Sequence, residues 1–112
     1  MEFSDQSRHQ MKLSIVIPAY NEAKSIEGAI IGIEKALNKF EIEHEIFVID
    51  DNSIDATSII LDELQKKYAC LKYEINQGPN GFGYAVRYGL ERYTGDCVAI
   101  KIIRIIFQWL FN

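Results

Sequence analysis

The sequence predicts an α/β fold on a mainly parallel four-stranded sheet, and three observations lead to it. Short apolar runs rich in β-branched residues recur at Leu13–Ile17, Glu45–Ile49, Leu71–Ile75 and Cys97–Ile100. Between them lie three segments whose apolar residues repeat at helical spacing. A strand that must return through a helix before pairing again pairs in parallel, so the alternation β-α-β-α-β-α-β points to helical crossovers over one sheet.

Each element has its own justification. Leu13-Ser14-Ile15-Val16-Ile17 is apolar on both alternating sets, as a strand covered on two faces should be, and Pro18 is its expected stop. After the loop Pro18-Ala19-Tyr20-Asn21-Glu22, residues Ile26, Ala29, Ile30, Ile33 and Leu37 share one side of a helix that runs to about Lys39. Polar Glu41-Ile42-Glu43-His44 separates it from the second strand, which Asp50-Asp51-Asn52-Ser53 closes. Ser53 or Asp55 can cap the second helix, with Ile59, Ile60 and Leu64 as its apolar residues and Asp62, Lys66 and Lys67 toward solvent.

The third strand leads into the glycine-rich Gln77–Gly83 stretch, which reads as a loop. Ala85, Val86, Gly89, Leu90 and Tyr93 mark a third helix, and Gly95 is its stop signal before the fourth strand. Right-handed crossovers give the order 3-2-1-4, with the first two helices on one face and the third on the other. Strand four is then an exposed apolar edge and a route to self-association.

Composition narrows the function. The 112 residues carry 12 Lys+Arg against 16 Asp+Glu, a net charge of -4, with 48% hydrophobic and 25% charged residues, as in a single globular domain. An acidic surface lacks the attraction that phosphate backbones demand, so nucleic acid is excluded as a partner. Cys70 and Cys97 stand far apart with no Cys-x-x-Cys or His-Cys spacing, which indicates neither a zinc site nor a disulfide framework. Residues 1–11 are polar, read as a flexible arm, and lack the apolar core of a secretory signal, so a cytoplasmic location is expected.

Ligands of open parallel sheets bind beyond the carboxyl ends of the strands. Two of the loops there are acidic: one carries Tyr20, Asn21 and Glu22, the other Asp50, Asp51 and Asp55. The first turn holds no glycine, unlike a dinucleotide site, and Gly81-x-Gly83 is a weak phosphate signal that also suits a plain loop. Taken alone, Asp50 and Asp51 also read as helix-capping or solvating acids.

In combination they say more. Ser14-Ile15-Val16-Ile17-Pro18-Ala19-Tyr20-Asn21-Glu22, followed by Val48-Ile49-Asp50-Asp51-Asn52-Ser53-Ile54-Asp55-Ala56-Thr57, resembles the start of a family-2 glycosyltransferase. Asn76 through Leu90 and Tyr93-Thr94-Gly95-Asp96 extend the resemblance over about residues 12–100, most closely to the dolichyl-phosphate and undecaprenyl-phosphate sugar transferases. The resemblance implies the Rossmann-like half of a GT-A type fold that binds a nucleotide-diphosphate sugar, UDP- or GDP-linked. It places Pro18, Ala19 and Glu22 around base and ribose and Asp50 or Asp51 on the base; Arg87, on the third helix, is either the cation for the diphosphate or a solvated helical charge. Tyr20 either stacks on the base or packs in the core.

The family reaction so implied is inverting transfer to a polyprenyl phosphate, with Mg²⁺ or Mn²⁺ held by an Asp-x-Asp motif after strand four. Here strand four is followed by Lys101 to Asn112, and no acid occurs after Asp96. No metal ligand and no catalytic residue is therefore assigned. The expectation is a truncated chain, inactive alone, with residues 12–100 as the nucleotide-binding half and 101–112 as a divergent apolar and basic tail. That tail is too short to span a bilayer, but Lys101, Arg104, Phe107 and Trp109 suit contact with a membrane surface, at the cytoplasmic face. The alternative is a non-enzymatic nucleotide-binding or interaction module.

Overall fold

The computed structural model describes residues 11–103. The expected N-terminal arm, apart from Met11, and the tail from residue 104 lie outside the described residues. The strands are β1 (Leu13–Ala19), β2 (His44–Asp50), β3 (Leu71–Ile75) and β4 (Cys97–Ile100). The helices are α1 (Ile26–Lys39), α2 (Thr57–Lys67) and α3 (Phe82–Leu90). All pairings are parallel and the order is β3-β2-β1-β4, as the alternation predicts.

The two central strands account for most of the core. On one face, Ile15, Ile17, Ile46 and Val48 meet Ile26 and Ile30 of α1 and Leu61 and Leu64 of α2. On the other, Val16, Phe47 and Ile49 meet Ala85 of α3. Burying each of the larger side chains contributes about 1.5–3 kcal/mol, which makes a sheet covered on both faces the stable arrangement for these runs. Among the described residues, no helix is long and apolar enough to cross a membrane.

Several local expectations need correction. Pro18 does not stop β1, which continues to Ala19. Residues 13 and 19 of β1 bond toward β2, whereas Lys12 and Val16 accept from Cys97 and Lys101 on the β4 side. By that alternation Pro18 faces the β4 side past Lys101, where the ladder has ended and its missing N–H costs nothing. Ile59 is 65% exposed. The face of α2 toward the sheet is Thr57, Leu61 and Leu64, an i, i+4, i+7 set that leaves residue 59 outside. Neither Ser53 nor Asp55 is the N-cap residue of α2, which is Ala56, although Asp55 Oδ1 accepts the Thr57 N–H at 2.9 Å and so satisfies a first-turn donor.

Gly95 is not the stop signal of α3, which ends at Leu90 with Glu91 as its C-cap; it belongs to the turn into β4. A Cβ there would lie 2.6 Å from Ser14 Oγ and 2.7 Å from the Lys12 carbonyl oxygen, so the chain passes where only glycine fits. Its N–H donates to Ser14 Oγ at 2.9 Å, and Ser14 donates in turn to Glu45 Oε2 at 2.6 Å. Glu45 also accepts the Thr94 N–H at 2.7 Å and faces Lys72 Nζ at 3.4 Å. Burial pushes this carboxyl up, but the hydrogen bonds from Ser14 and Thr94 and the Lys72 charge outweigh that and hold it below its ordinary range. This network fixes the entry to β4, whose Ala99 and Ile100 are exposed at the sheet edge.

Candidate functional site

At the carboxyl ends of β1 and β2 the three βα loops and the start of α3 enclose a cleft of about 800 Å³. That volume is within the range of small-molecule sites. Its wall holds Pro18 and Ala19 from the end of β1, Tyr20, Glu22 and Asp51 from the first two loops, Gly81, Phe82 and Ala85 from the α3 side, and Ile102 beyond β4.

The first two loops are stitched together by hydrogen bonds between main chain and side chain. The backbone turns through left-handed conformations at Asn21 (φ 52°) and Asn52 (φ 64°), which asparagine tolerates better than most residues. The Asn21 N–H donates to Ser53 Oγ and Asn21 Oδ1 accepts the Ile54 N–H, both at 2.9 Å. The Glu22 N–H donates to Thr57 Oγ1 at 2.9 Å and the Ala23 N–H to Asp55 Oδ2 at 3.2 Å. A loop anchored four times on its neighbour presents Tyr20 and Glu22 at set positions.

Asp51 joins the third loop to this frame. Its Oδ1 accepts from Asn76 Nδ2 at 3.0 Å and its Oδ2 from the Gly81 N–H at 2.8 Å. Asn52 Nδ2 donates to Asn80 Oδ1 at 2.7 Å, and Asn76 Nδ2 also donates to the Pro79 carbonyl at 2.8 Å. Gly81 stands at φ 137°, open to glycine alone, and α3 begins directly after it with no side-chain cap. The first-turn N–H groups of α3 thus start at the cleft wall, the end of a helix that favours anions.

Five of the seven residues singled out from the sequence, Pro18, Ala19, Tyr20, Glu22 and Asp51, line one cleft. Tyr20 is 49% exposed there rather than packed in the core. Asp50 is buried behind the cleft, where its Oδ1 accepts the Ser53 N–H at 3.0 Å. Arg87 lies apart, in a shallow depression with Asn76, Tyr84 and Tyr88; its side chain is 76% exposed and 3.4 Å from Glu91. Sequence reading did not count Asn21, Ser53, Thr57 and Asn76 among the site residues, yet they build the frame. The signal available was the density of short polar side chains at the strand ends.

Among the described residues the cleft brings together two carboxylates, Glu22 and Asp51, and no third donor close enough to complete a set for a Mg²⁺ or Mn²⁺ ion; Asp50 is held behind it by the Ser53 N–H. Among the described residues, the one group of three His, Cys, Asp or Glu donors close enough to share an ion lies elsewhere.

Residues 14–100 match the model of glycosyl transferase family 2. The chain is 37% identical over 91 residues to GalNAc(5)-diNAcBac-PP-undecaprenol beta-1,3-glucosyltransferase of Campylobacter jejuni, a match covering 78% of this chain and 28% of that protein. It is 34% identical over 90 residues to dolichol-phosphate mannosyltransferase of Pyrococcus furiosus, covering 80% of this chain and 25% of the relative. The chain therefore spans only about a quarter of the length of these relatives. Among solved structures, a mannosyltransferase from Pyrobaculum calidifontis in complex with GDP-Man and Mn²⁺ superposes over 85% of this chain and 28% of its own, with a TM-score of 0.71 and 23% identity, a likeness of fold. Mannosyl-3-phosphoglycerate synthase from Rubrobacter xylanophilus superposes similarly, with a TM-score of 0.71 and 21% identity. The fold is thus that of the GT-A glycosyltransferases, here a four-stranded portion of it. Because the family model runs unbroken from β1 to the last residue of β4, the chain belongs to glycosyl transferase family 2.

Proposed function

We propose that this chain supplies the nucleotide-binding portion of a transferase whose donor is a UDP- or GDP-sugar, and that the sugar passes with inversion to a polyprenyl phosphate at the cytoplasmic face of a membrane. The observation that carries the reading is the convergence of Tyr20, Glu22 and Asp51 on one cleft at the carboxyl ends of the central strands. Exposed Tyr20 and Phe82 offer faces for a base to stack on. Each Asp51 oxygen accepts one hydrogen bond from the third loop and keeps a further lone pair for a base N–H or ribose hydroxyl. Glu22 supplies a second carboxylate on the same wall.

The diphosphate falls to the N-terminal turn of α3, with Arg87 joining only by leaving Glu91. The polyprenyl acceptor is supported by the two relatives, whose names specify undecaprenol-linked and dolichol-phosphate chemistry.

Calorimetric titration of the folded chain with UDP, GDP, UDP-glucose and GDP-mannose, with and without Mn²⁺, tests the reading. Saturable binding of at least one of them, weakened about tenfold or more by Tyr20→Ala or Glu22→Ala, is expected, since a base stacked on an aromatic ring is worth about 1–3 kcal/mol and a hydrogen bond to a charged group about 1.5–3 kcal/mol. Arg87→Ala should weaken the diphosphates and leave uridine and guanosine, titrated alongside, unchanged. No heat from a cooperatively folded chain with any of the four overturns it.

A further inference from the structure

At the amino end of the sheet, opposite the cleft, three side chains from three elements meet. Glu34 comes from α1, His44 is the first residue of β2, and Cys70 directly precedes β3. Their ligating atoms all lie within 4.8 Å of one another. Cys70 Sγ is 2.9 Å and His44 Nε2 2.6 Å from the same atom, Glu34 Oε1.

The ring orientation is set from behind. His44 Nδ1 lies 2.7 Å from the Ile42 carbonyl oxygen, which can only accept, so Nδ1 carries a hydrogen. Nε2 and Glu34 Oε1, 2.6 Å apart, share a proton, and once that proton is displaced a ring held in this way presents the Nε2 lone pair toward Glu34 and Cys70. Histidines that bind metals are oriented in this manner, through a backbone carbonyl on the far nitrogen. Glu34 is positioned likewise, its Oε2 accepting from Asn38 Nδ2 at 3.0 Å. The His44 side chain is 5% exposed and that of Glu34 18%, so the group is sheltered yet open to an ion from solvent.

We propose that Glu34, His44 and Cys70 form a zinc-binding site. One thiolate, one imidazole and one carboxylate are the donor types that zinc takes, whereas a sulfur and a nitrogen in a set of three disfavour Mg²⁺, Ca²⁺ and Mn²⁺. Three protein ligands leave a fourth tetrahedral position for water. Ligand atoms around zinc, at about 2.0–2.3 Å from the metal, stand roughly 3.3–3.5 Å apart. Cys70 and His44 must each draw back from Glu34 by about half an ångström or slightly more, a rotamer-scale shift. Binding displaces the thiol proton of Cys70 and the proton between His44 Nε2 and Glu34 Oε1, and both leave to solvent while sulfur and nitrogen donate their electron pairs to the metal. The ion would tie α1, β2 and β3 together at the end of the sheet remote from the nucleotide cleft. The cysteine spacing carries no sign of this, because the ligands meet only through the fold.

The test uses the full chain stripped with EDTA and then titrated with Co²⁺ and Zn²⁺. Expected are one equivalent of bound metal, a near-ultraviolet thiolate-to-cobalt charge-transfer band with intense tetrahedral visible bands, displacement of Co²⁺ by Zn²⁺ but not by Mg²⁺, and a raised Tm with Zn²⁺. Cys70→Ser, His44→Gln and Glu34→Gln should each weaken Zn²⁺ binding tenfold or more, while Cys97→Ser and His9→Gln, the other cysteine and histidine, should leave it unchanged. A Co²⁺ complex of the unaltered chain without the thiolate band overturns the proposal, whether or not the variants fold. So does Zn²⁺ affinity that survives Cys70→Ser in a chain shown by circular dichroism to be folded.

Discussion

Asp51 Oδ2 accepts the main-chain N–H of Gly81 at 2.8 Å, across thirty residues of sequence, so a carboxylate on the cleft wall is also the tether of the loop that forms the opposite wall. A group placed this way cannot be removed for its ligand contacts alone. Its loss also leaves the Gly81 N–H without this acceptor and Asn76 Nδ2 with the Pro79 carbonyl alone.

Asp51→Ala should accordingly destabilise the fold by about 1–3 kcal/mol, the cost of donors deprived of an acceptor. Urea denaturation of the two chains reads this directly. Hydrogen exchange at Gly81 should quicken more than at Val48 in the centre of β2; equal acceleration at both sites would contradict the tether.

Gly89 sits where α3 crosses the central strands. A Cβ there would lie 2.6 Å from Val16 Cγ1 and 3.2 Å from Ile49 Cγ1. Gly89→Ala gains about 1 kcal/mol of helix propensity. Overpacking against the buried Val16 should cost about 1–3 kcal/mol, leaving the variant less stable on balance. Adding Val16→Ala to Gly89→Ala should recover part of the loss, so the double variant is more stable than the sum of the two single effects. Strict additivity in a double-mutant cycle would rule out the close approach.

Glu45 gives the fold a dependence on pH. Its carboxyl is held below the ordinary value of 4.5 in the folded chain, so its contribution is present in full at neutral pH and is lost as pH falls from that value toward the lower folded one. Glu45→Gln should destabilise at pH 7, and the gap between the two chains should narrow as pH drops below about 4.5. Urea midpoints of both chains between pH 7 and pH 3 check the sign. A gap that widens with acid would be incompatible with the network around Ser14 and Thr94.

The two thiols should differ in reactivity. Burial, then the hydrogen bond to Glu34 and its charge, push Cys70 up to about 12, so its thiolate is scarce at neutral pH. Cys97 is exposed. Mass spectrometry of the metal-free chain after iodoacetamide treatment should find Cys97 alkylated well before Cys70; faster modification of Cys70 would contradict the Glu34 contact.

The strand order and the covering of both faces were legible because four apolar runs and three helical periods admit few topologies. The sequence left Asp50 and Asp51 as alternatives, and the structure parts them by strand parity. Ile46 and Val48 share the α1–α2 face with residue 50, whereas Phe47 and Ile49 share the α3 face with residue 51, where Gly81, Phe82 and Ala85 border the cleft. Arg87 yields to the same kind of reasoning. Ala85 and Gly89 turn toward the sheet, so the residue midway between them on a helix turns outward. The Glu34, His44 and Cys70 cluster was not legible, since three residues on separate elements show no spacing that a local pattern could reveal.

The exchange between the first two loops is asymmetric. The first contributes mostly main-chain N–H groups, at residues 21, 22 and 23, and the second answers with the side chains of Ser53, Thr57 and Asp55. Any residue except proline can offer an N–H, so apart from Asn21, whose side chain and left-handed turn both take part, mutational tolerance is concentrated in the first loop and constraint in the second. Positions 20 and 22, which face the cleft, can vary without redirecting the path of the chain. A library built to reshape the cleft would randomise those two positions and hold 21, 53, 55 and 57 constant.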